Sequence, residues 1–242
     1  MWPFNNKSTP NNTKPQSKPI NIREILYGPN PVDFNIPDRQ LNFDLQGWNS
    51  DNKIFFDLVN EIKPNLIIEV GTWKGRSAIN MAKHIKTLGL KSSIICIDTF
   101  LGAPEHWIEP NLLADMKLKN MRPQLFEQFL SNILHEGCED IIVPFPQTSQ
   151  NAFKVLKKKG VAASLIYVDG SHEEGDVYQD IKNYFSLLLN GGILFGDDYS
   201  GWEGVRKDAN KFAKEYGLKL EVRDKVYWII RKPDDYSPQL DR

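Results

Sequence analysis

The sequence predicts a doubly wound α/β domain of Rossmann-like type, in which a mostly parallel seven-stranded sheet ends in an antiparallel edge hairpin. Three observations predict it. Short apolar runs alternate with segments of helical period from about residue 50 onward, the first run closes on a glycine turn that leads into a helix, and the last two runs meet with no helix between them. Alternation implies parallel strands, because each helical crossover returns the chain in the same direction. The final pair, "LKLEVRD" and "KVYWIIRK", meets at a short polar corner and is expected to run antiparallel at the edge.

In chain order, residues 1–19 are rich in Asn, Thr, Lys, Ser and Pro and carry too little apolar surface to offset the entropy of ordering, so a flexible segment is expected. Residues 20–48 mix apolar side chains with prolines without a clear period, which reads as an irregular arm packed on the domain or on a second copy of the chain. The domain proper spans 49–232, and 233–242 form a polar tail. Strands are predicted at Leu66–Val70, Ile94–Ile97, Ile141–Phe145, Ser164–Val168 and Ile193–Phe195 from their apolar runs. Helices are predicted at Asp51–Ile62, Arg76–Thr87, Pro123–Glu136, Ser149–Lys159, Glu174–Leu188 and Glu203–Tyr216 from their period. In such sheets ligands bind beyond the carboxyl ends of the strands, so the residues that follow each strand carry the functional information.

Composition excludes some classes. The 242 residues suffice for one well-buried domain, and 30 basic against 31 acidic side chains leave no surplus to attract a polyanion, so nucleic acid is not expected as a partner. Cys96 lies inside the apolar stretch "SSIICID"; it and Cys138 read as structural thiols in a reducing compartment. The amino end lacks the apolar core of a signal peptide, and no run is long enough to span a bilayer. A soluble, cytoplasmic protein without a membrane partner is expected.

The stretch "IIEVGTWKGRSAI" joins the first strand to its helix. Gly71 and Gly75 permit a tight turn and a close backbone approach to a ligand, and Ser77 sits on the first helical turn. Glycines that merely make a turn are the alternative. The spacing G-x-x-x-G differs from the dinucleotide fingerprint G-x-G-x-x-G. The next strand ends in "ICIDTF", which puts Asp98 where a carboxylate can accept both hydroxyls of a ribose.

Together, Glu69, Gly71, Gly75 and Asp98 resemble the pattern of the class I S-adenosylmethionine-dependent methyltransferases, in particular the "E-x-G-x-x-x-G-x-S" version of the catechol O-methyltransferase-like group, over roughly residues 50 to 231. The resemblance implies that Glu69, Gly71, Thr72, Gly75 and Ser77 flank the methionine part of the cofactor, that Asp98 holds the ribose, and that Thr148 and Ser149 of "PQTS" border the adenine. The resemblance also implies that Asp169 adjoins the same cofactor. Ser149 also reads as a helix N-cap.

Two strand ends carry acids. Asp169 closes the fourth strand, and Asp197 with Asp198 closes the fifth; neighbouring strands lie about 4.8 Å apart, so three carboxylates converge on one edge. Such a cluster calls for a cation, and oxygen ligands that leave room for water and substrate suit Mg²⁺, with Mn²⁺ or Ca²⁺ as substitutes. Capping and solvated loop acids are the alternative. The arrangement also resembles the metal-dependent O-methyltransferases. Catechol-type members carry Asn where Asp198 stands, and Lys three residues after the first metal acid, where this chain has His172. "D-G-S-H" and "G-D-D-Y" look more like the macrocin O-methyltransferase branch, which implies a sugar hydroxyl as acceptor. His172 is the candidate general base, because a neutral imidazole suits proton removal near neutral pH. His84 and His135 fall on predicted helices. His106, in "LGAPEHW", either contacts substrate or packs.

The connection Thr99–Arg122 is longer than compact α/β units need and reads as a lid, with a surface insertion or a contact between copies as alternatives. Tyr199 and Trp202 are candidates for an acceptor wall, or for packing. The expected activity is transfer of a methyl group from S-adenosylmethionine to a hydroxyl of a small molecule, assisted by a divalent cation. Two rivals are an NAD-type oxidoreductase, opposed by the missing fingerprint, and a silent cofactor-binding or assembly module, opposed by the gathering of Asp169, His172, Asp197 and Asp198.

Overall fold

The computed structural model describes residues 21–29 and 41–237. The expectations for residues 1–19, for 20 and 30–40 of the arm, and for the end of the tail from 238 lie outside the described residues.

Strands β1 (Leu66–Val70), β2 (Ser93–Asp98), β3 (Ile142–Pro146), β4 (Ala163–Val168) and β5 (Leu188–Gly196) are parallel, and β6 (Leu220–Arg223) and β7 (Tyr227–Arg231) close the chain. The order is β3-β2-β1-β4-β5-β7-β6, with β7 antiparallel to both neighbours. The expected fold class is borne out, down to the edge hairpin. β5 begins five residues earlier than its apolar run, because "LLNGG" extends the strand through a register shift against β4.

The strands alternate strictly between two cores, as the two-residue period of a pleated strand requires. Ile68, Val70, Ile95, Ile97, Ile166, Val168 and Leu194 face one side. There they meet α7 (Ser149–Lys158), α8 (Asp176–Leu187) and α9 (Glu203–Glu215). Ile67, Ile94, Cys96, Leu165, Tyr167 and Phe195 face the other, against α2 (Lys53–Ile62), α3 (Arg76–Thr87) and α6 (Leu125–His135). Cys96 and Cys138 are buried free thiols. Among the described residues no helix is long and apolar enough to cross a membrane.

Three short helices escaped the sequence reading. α1 (Ile22–Tyr27) is capped by Asn21, buries Ile22, and donates the Tyr27 hydroxyl to Pro144 O beside β3. α4 (Pro104–Ile108) and α5 (Pro110–Asp115), each started by a proline, fill the connection after β2. Helices of five or six residues bury too little of one face to leave a periodic signal.

Residues 41–48 of the arm lie over α6 and the glycine turn. Leu41 N–H donates to Ser131 and Asp44 N–H to Asn132, and the Asp44 carboxylate receives both Lys74 at 2.9 Å and Lys117 at 2.8 Å.

Candidate active site

The helices that follow β1 and β4 lie on opposite faces, so the chain parts above the carboxyl ends of these neighbouring strands and leaves a cleft of about 810 Å³. Gly71 and Gly75 shape its floor for reasons internal to the protein. At Gly71, with φ +83°, a Cβ would lie 1.7 Å from the Asp169 carbonyl oxygen. At Gly75, with φ +88°, it would lie 2.7 Å from the Phe129 ring on α6. Both positions demand glycine whether or not a ligand is present.

Asp98 is more committed than its sequence position suggests. Its Oδ2 accepts the N–H groups of Thr72 and Trp73, each at 2.9 Å, and its Oδ1 accepts that of Phe100 at 2.7 Å. A carboxylate offers about four lone-pair sites. Three are used to clamp the glycine turn and the start of the β2–α6 connection, which leaves room for a single further donor rather than the two ribose hydroxyls expected. Glu69 is fully buried in β1 and accepts the Ser77 hydroxyl at 2.5 Å, while its second oxygen has no partner among the described residues. Burial pushes its pKa up to about 8, against the Ser77 hydrogen bond and aided by the charges of Asp169 and Asp98.

At the far end of the cleft the capping role belongs to Thr148, not Ser149. Thr148 Oγ1 accepts Asn151 N–H, whereas the Ser149 hydroxyl donates to Asp180 on α8. Asp180, which sequence reasoning missed, lines the cleft. Burial raises its pKa to about 6 despite the Ser149 hydrogen bond.

The acids beyond β4 and β5 meet at the opposite end. Asp169, His172 and Asp198 each present a ligand atom within 4.8 Å of the others. Asp169 Oδ2 accepts the buried Tyr167 hydroxyl at 2.9 Å. His172 Nε2 lies 3.0 Å from Asp198 Oδ2, and its Nδ1 lies 3.1 Å from Glu105 Oε1. Asp198 adopts a left-handed φ of +62°. The same turn brings Trp202 N–H onto the Asp198 carbonyl and stacks the Trp202 ring on His172, with centroids 4.4 Å apart at 18°. Asp197 stands outside this triad: it is buried, and one of its oxygens accepts the Asp198 N–H. The expected set of three carboxylates is therefore replaced, as the tightest donor group, by two carboxylates and an imidazole.

Burial raises both Asp169 and Asp197 above the usual carboxylate range, and their neighbouring negative charges add to it. Burial opposes the imidazolium of His172, but the Asp198 hydrogen bond and the charges of Asp198, Asp169 and Glu105 outweigh it, so its pKa lies above the ordinary 6.5. A cleft floor of this kind favours positively charged ligands.

Trp73, His106 and Trp202 form aromatic walls. His106 stacks on Trp73 with centroids 4.3 Å apart, and Gln46 accepts the Trp73 indole N–H at 2.7 Å. Trp107 does not line the cleft; its indole N–H donates to Leu101 O. Tyr199 packs against the core beside α9. His84 and His135 contact Asn60 and Leu41 O, away from the cleft. Glu105 and Gln46 left no signal, since a single polar residue in an irregular segment carries no period.

A family model described as a methyltransferase domain matches residues 68–199, more than half of the chain. The chain belongs to the methyltransferase-domain family. No curated protein matches this methyltransferase in sequence. Among solved structures, the O-methyltransferase NovP is similar with a TM-score of 0.59 at 13% identity, over 75% of this chain and 78% of that one. An O-methyltransferase from Bacillus cereus in complex with SAH aligns with a TM-score of 0.52 at 14% identity, over 80% and 84%. TomG from Streptomyces achromogenes, an O-methyltransferase involved in tomaymycin synthesis and solved with SAM, aligns at 0.52 and 13%, over 79% and 82%. These likenesses establish the fold of the methyltransferase.

Proposed function

We propose that this methyltransferase transfers the methyl group of S-adenosylmethionine to a hydroxyl oxygen of a small molecule, a sugar or glycoside, with a divalent cation such as Mg²⁺ at the acidic end of the cleft. The observation that carries the reading is the convergence of Asp169, His172 and Asp198 in the same cleft that the glycine turn floors. The SAH and SAM complexes of the fold neighbours support the cofactor. The "D-G-S-H" and "G-D-D-Y" pattern supports the sugar, as do aromatic walls rimmed by polar groups, which suit an amphipathic ring.

The donor set fits a cation of this class, since two carboxylates and an imidazole offer oxygen and nitrogen ligands and the cleft leaves open positions. A divalent cation bound there would lower the pKa of an adjacent hydroxyl. The protein's own residues do the rest. The Gly71–Gly75 turn, Asp98, Thr148 and Ser149 hold the cofactor along the cleft, and the Asp169 carboxylate on its floor favours the sulfonium. His172 takes the hydroxyl proton at Nε2, and a positive charge beside the ring disfavours the imidazolium, which frees that nitrogen. The walls align oxygen and methyl carbon for direct displacement and exclude water.

A second reading makes His172 the third cation ligand, favoured by its place in the tightest donor group. His172→Ala separates the two: a base costs turnover and leaves Mn²⁺ affinity, whereas a ligand costs both. The overall reading is tested by calorimetry and by an acceptor screen containing sugars. Heat with S-adenosylmethionine or its demethylated product, and methyl transfer abolished by chelation, are expected. Binding of NAD alone rejects the cofactor, and transfer indifferent to chelation rejects the cation.

A further inference from the structure

We infer that Glu105, on the short helix after β2, is a positioning residue that holds the His172 ring by Nδ1 and so directs Nε2 at Asp198 and the cation pocket. What Nε2 then does rests on the proposed function; the ring geometry does not.

His172 faces a carboxylate from each nitrogen, Glu105 Oε1 at 3.1 Å from Nδ1 and Asp198 Oδ2 at 3.0 Å from Nε2. A carboxylate only accepts, and a neutral imidazole has one proton. The imidazolium donates at both contacts, but in the neutral ring only one is a hydrogen bond and at the other two lone pairs face each other. On the Asp198 side, a cation or an incoming hydroxyl can lie between them, because Asp198 and Nε2 belong to the donor triad with Asp169. On the Glu105 side, no cation-binding group joins them among the described residues. The proton belongs on Nδ1, donated to Glu105, and the lone pair on Nε2. A carboxylate behind a histidine serves in this way both for metal ligands and for general bases, by fixing tautomer and ring orientation.

Trp202 cannot substitute for this contact. Its ring lies parallel to His172 and fixes the plane of the imidazole, but a half-turn of the ring within that plane's stack leaves the two rings equally well packed. Glu105 breaks the degeneracy. Its own placement is specified by its neighbours: Gly102 turns the chain at φ +78°, Pro104 starts the helix, and His106 accepts Ala103 N–H at 3.0 Å while stacking on Trp73. Two consecutive residues of one helical turn thus reach two parts of the cleft, His106 the glycine turn and Glu105 the histidine beyond β4. The segment after β2 must be docked for His172 to be set, so cofactor-side order and acceptor-side chemistry are joined through α4.

The test uses the full chain as wild type, Glu105→Ala and Glu105→Gln, with thermal melting to verify folding. Ring ¹⁵N correlation spectra of His172 with saturating Mg²⁺, at alkaline pH where the ring is neutral, report the tautomer directly. The wild type is expected to show the Nδ1–H form and Glu105→Ala a mixture or the Nε2–H form. Where His172 ligates the cation, Mn²⁺ affinity measured by calorimetry also falls about 10- to 100-fold in Glu105→Ala; where it is the base, affinity is kept and turnover falls. Glu105→Gln, whose amide oxygen still accepts, is expected to recover most of both, with binding of the demethylated cofactor unchanged throughout. A Glu105→Ala protein that keeps the wild-type tautomer overturns the inference. A wild type that binds no Mn²⁺ removes the cation from the proposed function, and a wild-type ring in the Nε2–H form with Mg²⁺ present overturns the inference.

Discussion

The Lys74 ammonium, 1% exposed, lies 2.9 Å from the Asp44 carboxylate, so a side chain of the glycine turn is neutralised by a residue of the amino-terminal arm. Lys117, from the connection after β2, reaches the same Asp44 oxygen at 2.8 Å. One carboxylate thereby joins the arm, the turn and the connection. Asp44→Ala leaves a buried ammonium without its partner and is expected to destabilise the protein by about 3 kcal/mol, the lower end for a broken buried pair because Asp44 itself is a quarter exposed. Urea unfolding measures it, and a loss below about 0.5 kcal/mol would mean that Lys74 finds water or another acceptor.

The same contact gives a pH signature. Partial burial pushes the Asp44 carboxyl up, but hydrogen bonds from Lys117, Lys74 and Gln46 N–H outweigh it and hold the pKa at about 2, below the ordinary 3.8. A folded-state value below the unfolded one means that the contribution is complete above 3.8 and is lost as pH falls through about 2. The stability difference between wild type and Asp44→Asn should therefore be constant from neutral pH down to about 4 and shrink below it. A difference that instead grows on acidification contradicts the assignment.

Asp98→Ala removes the acceptor for three backbone N–H groups. It is expected to lower stability by about 1–3 kcal/mol and to weaken binding of S-adenosylmethionine as the turn loosens. Asp98→Asn, which keeps one carbonyl oxygen, should be milder in both. Calorimetry on folded variants separates the effects: weakened binding with unchanged melting would point to a purely ligand-facing carboxylate.

Gly71→Ala places a methyl group 1.7 Å from the Asp169 carbonyl. Strain at the positive φ alone costs about 1–3 kcal/mol, and the overlap forces the ends of β1 and β4 apart. Loss of Mn²⁺ binding is expected together with loss of stability, because Asp169 is the atom group displaced. A soluble Gly71→Ala protein with wild-type melting and Mn²⁺ affinity would show that the two strand ends can separate freely.

His172→Ala is expected to lower turnover about 10²- to 10⁴-fold if the imidazole takes the proton. Single-turnover kinetics at saturating Mn²⁺ and cofactor measure it. Wild-type turnover in the variant would leave hydroxyl activation to the cation alone.

Much of this was legible in sequence, because the signals were periodic or local. Apolar runs of period two and helices of period 3.6 specify which side chains are buried, so β1 and α3 were read to the residue, and the carboxyl ends of the parallel strands placed Asp98, Asp169, Asp197 and Asp198 at the cleft. Chain direction alone puts acids after β4 and β5 on one edge. Which atoms then meet is decided by three-dimensional packing, which no spacing encodes. The left-handed turn at Asp198 swings its carboxylate to His172 while Asp197 accepts the next N–H, the three N–H groups of the glycine turn and Phe100 take up Asp98, and a five-residue helix 67 positions upstream brings Glu105 to His172. Contacts between segments so far apart depend on the loops that fold over the sheet, where no repeating burial pattern records what each side chain will face.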